Sequence, residues 1–174
     1  MNATSCRPQR EVYTIGHSNH SVTAFCDLLA GHDLQIVVDV RSSPFSKHVP
    51  QFNKKEIAPA LTGQNRQYLF MGDLVGGKPA DPKWYDERAK VRYDLLAQST
   101  SFQQGIERIL KGVDQGYRIV LMCAEENPLQ CHRHLLIART LEQEKKTAVL
   151  HLRGDGALLR ARDFLASAEQ LKLF

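Results

Sequence analysis

The chain has 174 residues, 43% apolar and 24% charged, which suits one folded domain with a full hydrophobic core and excludes a disordered or fibrous protein. A net charge of +4 and a pI near 8.9 are a mild basic excess, so a nucleic-acid partner is possible but not favoured. The first ten residues lack the apolar core of a secretory signal, no run approaches the ~18 apolar residues of a membrane span, and four cysteines are then expected as free thiols in the cytoplasm.

Residues 1–10 are expected to be a flexible lead-in to a single α/β domain over residues 11–174. Residues 12–15 are β-rich and stop at Gly16, before His17, Ser18, Asn19 and His20. Ser21 then caps a helix with apolar positions at Val22, Phe25, Leu28 and Leu29, ending near Gly31. Residues 36–40 are almost unbroken β-branched residues, the pattern of a strand buried on both faces. A polar loop over residues 41–53 follows. Asn53 with Glu56 resembles a capping box for a short helix, which Pro59 should limit or kink.

Residues 68–71 read as a third strand, and Gly76, Gly77 and two prolines make a loop of the next stretch. A surface helix is expected around residues 84–97 and a clearer amphipathic one over 101–113, with Phe102, Ile106, Ile109 and Leu110 on one stripe. Residues 119–122 predict strand four, 131–144 a helix, 148–152 strand five, and 157–171 a closing helix that includes Leu158 and Leu159. Alternating strands and helices imply βαβ crossovers. The expected fold is a three-layer α/β sandwich, with a mostly parallel sheet of about five strands and helices on both faces.

Polar residues collect where the strands end. The carboxyl ends carry Gly16 to Ser18, Asp39 to Arg41, the glycines Gly76 and Gly77, Cys123 to Glu125, and His151. In a parallel sheet these ends share one rim, so five separate stretches should converge on one cleft.

The densest stretch runs from Leu121 to Arg133. Cys131, placed in the first turn of a helix, is the better nucleophile candidate, because free N–H groups and the helix dipole lower a thiol's pKa. Cys123 reads most simply as a small buried residue, the functional alternative being a thiol at the cleft mouth. His132 or His17 could shuttle protons, although His17 could instead be a turn histidine bonded to backbone. Glu125 could orient an arginine or histidine. Arg41 and Arg133 could anchor a carboxylate or phosphate, and Arg41 could equally pair with Glu125. Ser18, Asp39, Gly76, Gly77, Cys123 and His151 complete the expected ligand-facing set. The glycines would allow close approach to a ligand, or simply positive φ.

A metal could be imagined on Cys123, Cys131, His132 and either His17 or His151. The cysteine spacing is not a knuckle and no second CxxC exists, so no metal and no cofactor is expected. A phosphate loop is disfavoured, because no glycine lies between Cys123 and His132 and Glu125 and Glu126 would repel an anion.

Together, Thr14 to Ser18, Asp39-Val40-Arg41 with Ser43-Pro44, Gly76-Gly77, and Cys123-Ala124-Glu125 with Cys131-His132-Arg133 resemble the family catalogued as domain of unknown function 488. The resemblance implies a compact α/β protein, mostly bacterial or archaeal, without an established general activity. A fainter similarity is to rhodanese-like domains, which also carry an Asp-x-Arg strand end and a cysteine after a later strand. The acidic stretch from Glu125 to Gln130 departs from the tight rhodanese loop and argues against sulfur transfer at Cys123. The expected function is an enzyme acting on a small polar or anionic, nucleotide-like ligand, the alternative a non-catalytic nucleotide, nucleobase or nucleic-acid sensor.

Overall fold

The computed structural model of the chain describes residues 10–170. Its strands are β1 (Glu11–Gly16), β2 (Ile36–Asp39), β3 (Gln67–Phe70), β4 (Ile119–Cys123), β5 (Ala148–Leu152) and β6 (Leu158–Arg160). They form a six-stranded sheet in the order β3-β2-β4-β1-β5-β6. All pairings are parallel except that of β6, which runs antiparallel to β5. Among the described residues, no helix is long and apolar enough to cross a membrane.

Helices cover both faces, as the alternating pattern predicts. On one face α1 (Val22–Ala30) and α2 (Lys54–Thr62) pack Phe25, Leu29, Ile57 and Leu61 against Ile15, Val37, Val120 and Met122. The opposite face carries α3 (Gly72–Val75), α4 (Tyr93–Leu96), α5 (Thr100–Asp114) and α6 (Arg139–Gln143), the last preceded by a π-helical stretch, Arg133–Ala138. There Phe102, Ile106, Leu136 and Ile137 meet Val12, Val38 and Leu121. Neighbouring residues of one strand thus serve opposite cores, which is why β2 and β4 are apolar throughout. Each fully buried aliphatic or phenyl side chain contributes roughly 1.5–3 kcal/mol relative to its exposed state.

Local signals explain the helix starts. The Ser21 hydroxyl accepts from the Ala24 N–H at 3.1 Å, and that of Ser99 from the Phe102 N–H at 3.3 Å, each satisfying an otherwise unpaired first-turn donor. The capping box at Asn53 does not form. Its side-chain oxygen turns instead to the Ser46 N–H at 2.6 Å, closing the preceding loop. Nor does Pro59 end its helix, which continues to Thr62.

Two segments differ more. Around residues 84–97 no continuous surface helix forms. A 3-10 turn at Pro82–Trp84 and a bridge between Tyr85 and Val91 precede the short α4. The Asp86 carboxylate accepts from the Arg88 and Lys90 N–H groups, both at 2.9 Å, and Ala89 takes φ +56°, which together fold the charged stretch into a loop. At the other end, Leu158 and Leu159 belong to β6 and not to a helix. Asp155 and Gly156 (φ +85°) make a hairpin turn, with the Arg153 N–H donating to the Ala157 carbonyl at 2.9 Å, and α7 (Ala161–Gln170) starts after it. Leu171, the last residue of the expected helix, lies outside the described residues.

Candidate functional site

The carboxyl ends of β1, β2 and β4 are adjacent in the sheet, so the segments that follow them share one rim. Backbone bonds tie them: the His17 N–H donates to the Cys123 carbonyl at 2.8 Å, the Ser18 N–H to the Ala124 carbonyl at 3.0 Å and the Val40 N–H to the Met122 carbonyl at 3.0 Å. Gly16 is required here, because a Cβ at that position would lie 1.8 Å from the Glu125 carbonyl oxygen. Above this rim opens a cleft of about 600 Å³.

Cys123, Cys131 and His132 form its floor, all three buried. The two sulfurs are 3.3 Å apart, and the His132 Nδ1 lies 3.9 Å from the Cys123 sulfur and 3.6 Å from that of Cys131. The His132 Nε2–H donates to the Val40 carbonyl at 2.9 Å, which turns Nδ1 toward the sulfurs. Gly77 packs flat on this imidazole; a Cβ there would lie 2.4 Å from its Cγ. The ring is clamped between Val40 and Gly77.

Of the two sulfurs, Cys123 is the one whose thiolate is favoured. The Cys131 thiol donates to it, and His132 and the Glu125 backbone add to the stabilisation, outweighing burial and holding the Cys123 pKa far below the usual thiol range. Giving its proton to that bond, with burial acting the same way, pushes Cys131 up. This reverses the expectation from helix position. Cys131 does precede the helix, its carbonyl accepting from the Leu135 N–H at 3.0 Å, but the neighbouring sulfur outweighs the dipole.

Arg133 is fully buried beneath this floor. One of its terminal nitrogens donates to the carbonyls of Glu125 and Glu126, both at 2.6 Å, while Nε and Nη1 have no hydrogen-bond partner. Burial lowers its pKa, and the neighbouring Cys131 and Cys123 oppose that lowering. It is the counter-charge of the thiol pair and the brace of the acidic turn, and it does not line the cleft. Arg153 forks onto Glu126 at 2.8 and 2.5 Å, fixing the other side of that turn.

Arg41 lines the cleft, but most of its donors are engaged. It forks onto Asp39 at 2.9 and 2.6 Å, reaches the Phe52 carbonyl at 2.8 Å and meets the His17 Nε2 at 3.0 Å. Asp39, also bonded by the Tyr68 hydroxyl at 2.6 Å, is therefore the partner of Arg41, and Glu125 is not. His17 is stacked on Phe52 with ring centroids 4.4 Å apart, and its Nδ1 donates to the Ser18 carbonyl at 2.8 Å. Burial lowers its pKa and Arg41 holds its Nε2, so it braces Arg41 with no lone pair free for a substrate.

The remaining candidates divide. Glu125 is exposed at the cleft lip. Ser18, at φ 45°, turns its hydroxyl toward Asn19 and Gly76 packs on the Gly72 carbonyl, neither lining the cleft. The positive-φ glycines among the described residues are Gly116 and Gly156, so Gly76 and Gly77 serve close approach, to protein groups. His151 is absent from the rim. It is wholly buried, with Nδ1 2.7 Å from the Thr14 hydroxyl and Nε2 2.9 Å from the His134 Nδ1. Burial, then the neighbouring His134, pushes its pKa down to about 3.

Ser42, Ser43, Lys78 and Tyr93 also line the cleft, with Phe45, which the sequence places in the polar loop over residues 41–53. The serines directly follow the Asp-x-Arg strand end and Lys78 follows the two glycines, so those neighbours were findable. Tyr93 was hidden in the stretch read as a surface helix.

Sheet, crossovers and a polar cleft at the strand carboxyl ends define an α/β sandwich with a Cys-Cys-His cluster. The sequence matches the family described as Domain of unknown function DUF488 over residues 21–140, and the chain belongs to that family. No curated protein and no solved structure matches it.

Proposed function

We propose that this protein is an enzyme acting on a small anionic, nucleotide-like molecule, with Cys123 as the reactive sulfur. One observation carries the reading: a thiol pair with its own buried counter-charge, Arg133, sits at the floor of a 600 Å³ cleft open to solvent. A buried charge pair is costly to maintain for structure alone. In this reading Cys131 donates to the Cys123 sulfur and His132 Nδ1 takes or returns a proton. Glu125 handles protons at the lip. Lys78, Ser42 and Ser43 receive the anionic group, and Phe45 and Tyr93 offer flat apolar surface to a ring. Arg41 holds the wall, kept in place by Asp39 and His17.

Alkylation in buffer with a chelator tests this. Iodoacetamide at neutral pH is expected to modify Cys123 before Cys26 and Cys131, read by peptide mass spectrometry. Some member of a panel of nucleoside phosphates, sugar phosphates and small carboxylates is expected to protect it and raise the melting temperature. Equal reactivity of Cys26, Cys123 and Cys131, with no compound protecting or stabilising, removes the reading.

A second reading, a non-catalytic sensor of nucleotides or nucleic acid, rests on the exposed Lys83, Arg88, Lys90 and Arg92 that precede Tyr93. Retention on DNA or RNA that falls steeply with salt supports it, and no retention at low salt counts against the nucleic-acid form.

A further inference from the structure

We propose that Cys123, Cys131 and His132 bind one zinc ion, with the fourth coordination position open to the cleft. The three donor atoms lie within 4.8 Å of one another on buried residues. Two thiolates and an imidazole suit zinc over the hard cations magnesium and calcium. A tetrahedral zinc with bonds of about 2.3 Å to sulfur and about 2.0 Å to nitrogen places S and N about 3.5 Å apart and two sulfurs about 3.8 Å apart. The S–N separations here are 3.6 and 3.9 Å, and the sulfurs, at 3.3 Å, need only part slightly.

The surroundings fit as well as the distances. A ligating histidine generally donates its other N–H to a carbonyl or carboxylate, which fixes the ring and its tautomer. His132 does so to Val40, and Gly77 bars the ring from swinging away. The spacing of eight residues between the cysteines, unlike any knuckle, is spanned by a strand end, the turn braced by Arg133 and a helix start. His17 and His151, the imagined fourth ligands, are bonded elsewhere, and among the described residues no fourth donor joins the cluster. Three protein ligands and one vacant position facing a cleft are the arrangement of a catalytic zinc.

Charge balance then says what fills that position. Zinc with two thiolates is neutral, which leaves the buried Arg133 uncompensated, with two nitrogens unpartnered. The fourth ligand is therefore an anion: hydroxide in the resting protein, and the anionic group of the ligand when one is present. This last step rests on the anion-binding part of the cleft reading above, with the metal, and not Cys123, as the reactive centre once zinc is bound; zinc binding itself does not rest on it.

Zinc content by mass spectrometry of freshly purified protein is expected at one equivalent per chain. Cobalt(II) added to chelator-stripped protein is expected to give intense tetrahedral d–d bands and a sulfur-to-cobalt charge-transfer band. Cys131→Ser and His132→Ala should weaken zinc binding by more than the roughly 10–100-fold that losing an outer partner costs, while Cys26→Ala leaves it unchanged. Azide or cyanate titrated into the cobalt protein should shift the d–d bands. A weak octahedral cobalt spectrum without charge transfer, obtained on folded wild-type protein, overturns the site whether or not the variants fold. Cobalt bands indifferent to every anion overturn the open position. Ligand protection of Cys123 in stripped protein that binds no zinc leaves the enzyme reading standing and sinks only the metal.

Discussion

His132 and His134 stand two residues apart at the start of one helical segment, yet they belong to different kinds of site. His132 points its Nδ1 at two sulfurs on the floor of an open cleft. His134 turns inward and meets His151, which in turn meets Thr14, a chain of polar groups closed off inside the protein. Both clusters are buried, hydrogen-bonded and rich in titratable groups. What separates them is access: the first lies beyond the strand ends and lines the cleft, the second lies within the sheet, where Thr14 and His151 are register partners on β1 and β5. Buried polar groups alone do not mark a functional site. Groups left facing solvent-filled space do.

Arg133 sits between the two, and replacing it is the strongest way to break the contrast. Arg133→Met removes two charge-assisted bonds to the acidic turn and the counter-charge of the thiols. A loss of about 3 kcal/mol is expected from urea unfolding, together with slower alkylation of Cys123. Undiminished alkylation would mean that Arg133 serves only the fold.

His151→Leu should destabilise by about 2 kcal/mol, since His134 and Thr14 lose their partner, while Cys123 alkylation stays at the wild-type rate. A changed rate would join the two clusters into one unit.

Acid offers a milder version of the same test. The folded His151 pKa, about 3, lies below the unfolded value near 6.5, so its neutral form contributes fully above that pH and the contribution is lost as pH falls toward 3. At pH 5 the loss is about 2 kcal/mol, readable as a falling unfolding midpoint, and His151→Leu should flatten that slope. The smallest effect on stability is expected from His132→Ala, about 1 kcal/mol, because only one carbonyl loses its donor. Its consequence belongs to the cleft: altered reactivity of both thiols at near-wild-type stability.

Much of the fold was legible because burial on both faces writes itself into β2 and β4 as unbroken apolar runs, and Ser21 announces α1. β6 was missed because three residues are too few for a period, and the Asp155-Gly156 turn was the available signal. The site was legible as a rim, from five strand ends, but not as a geometry. Sequence position could place Cys131 at a helix start and could not show that a second sulfur lies against it, which reverses the order of the two pKa values. His151 was misplaced because its strand, β5, contributes no residue to the cleft, and its side chain is buried between His134 and Thr14. Glu125 and Glu126 look like acids aimed at a ligand, yet their carbonyls are what Arg133 reads.

The π-helical stretch Arg133–Ala138 is equivalent to one extra residue set into an α-helix, and such bulges gather at functional sites. Its wider turn sends two consecutive side chains, Arg133 toward the acidic turn and His134 toward β5, into separate buried environments. Deleting a single residue there would restore ordinary helix and change the phase of everything upstream of it, so that no choice of amino acids at the two positions could recover both contacts. Length, more than composition, is the property of this segment that a redesign would have to preserve.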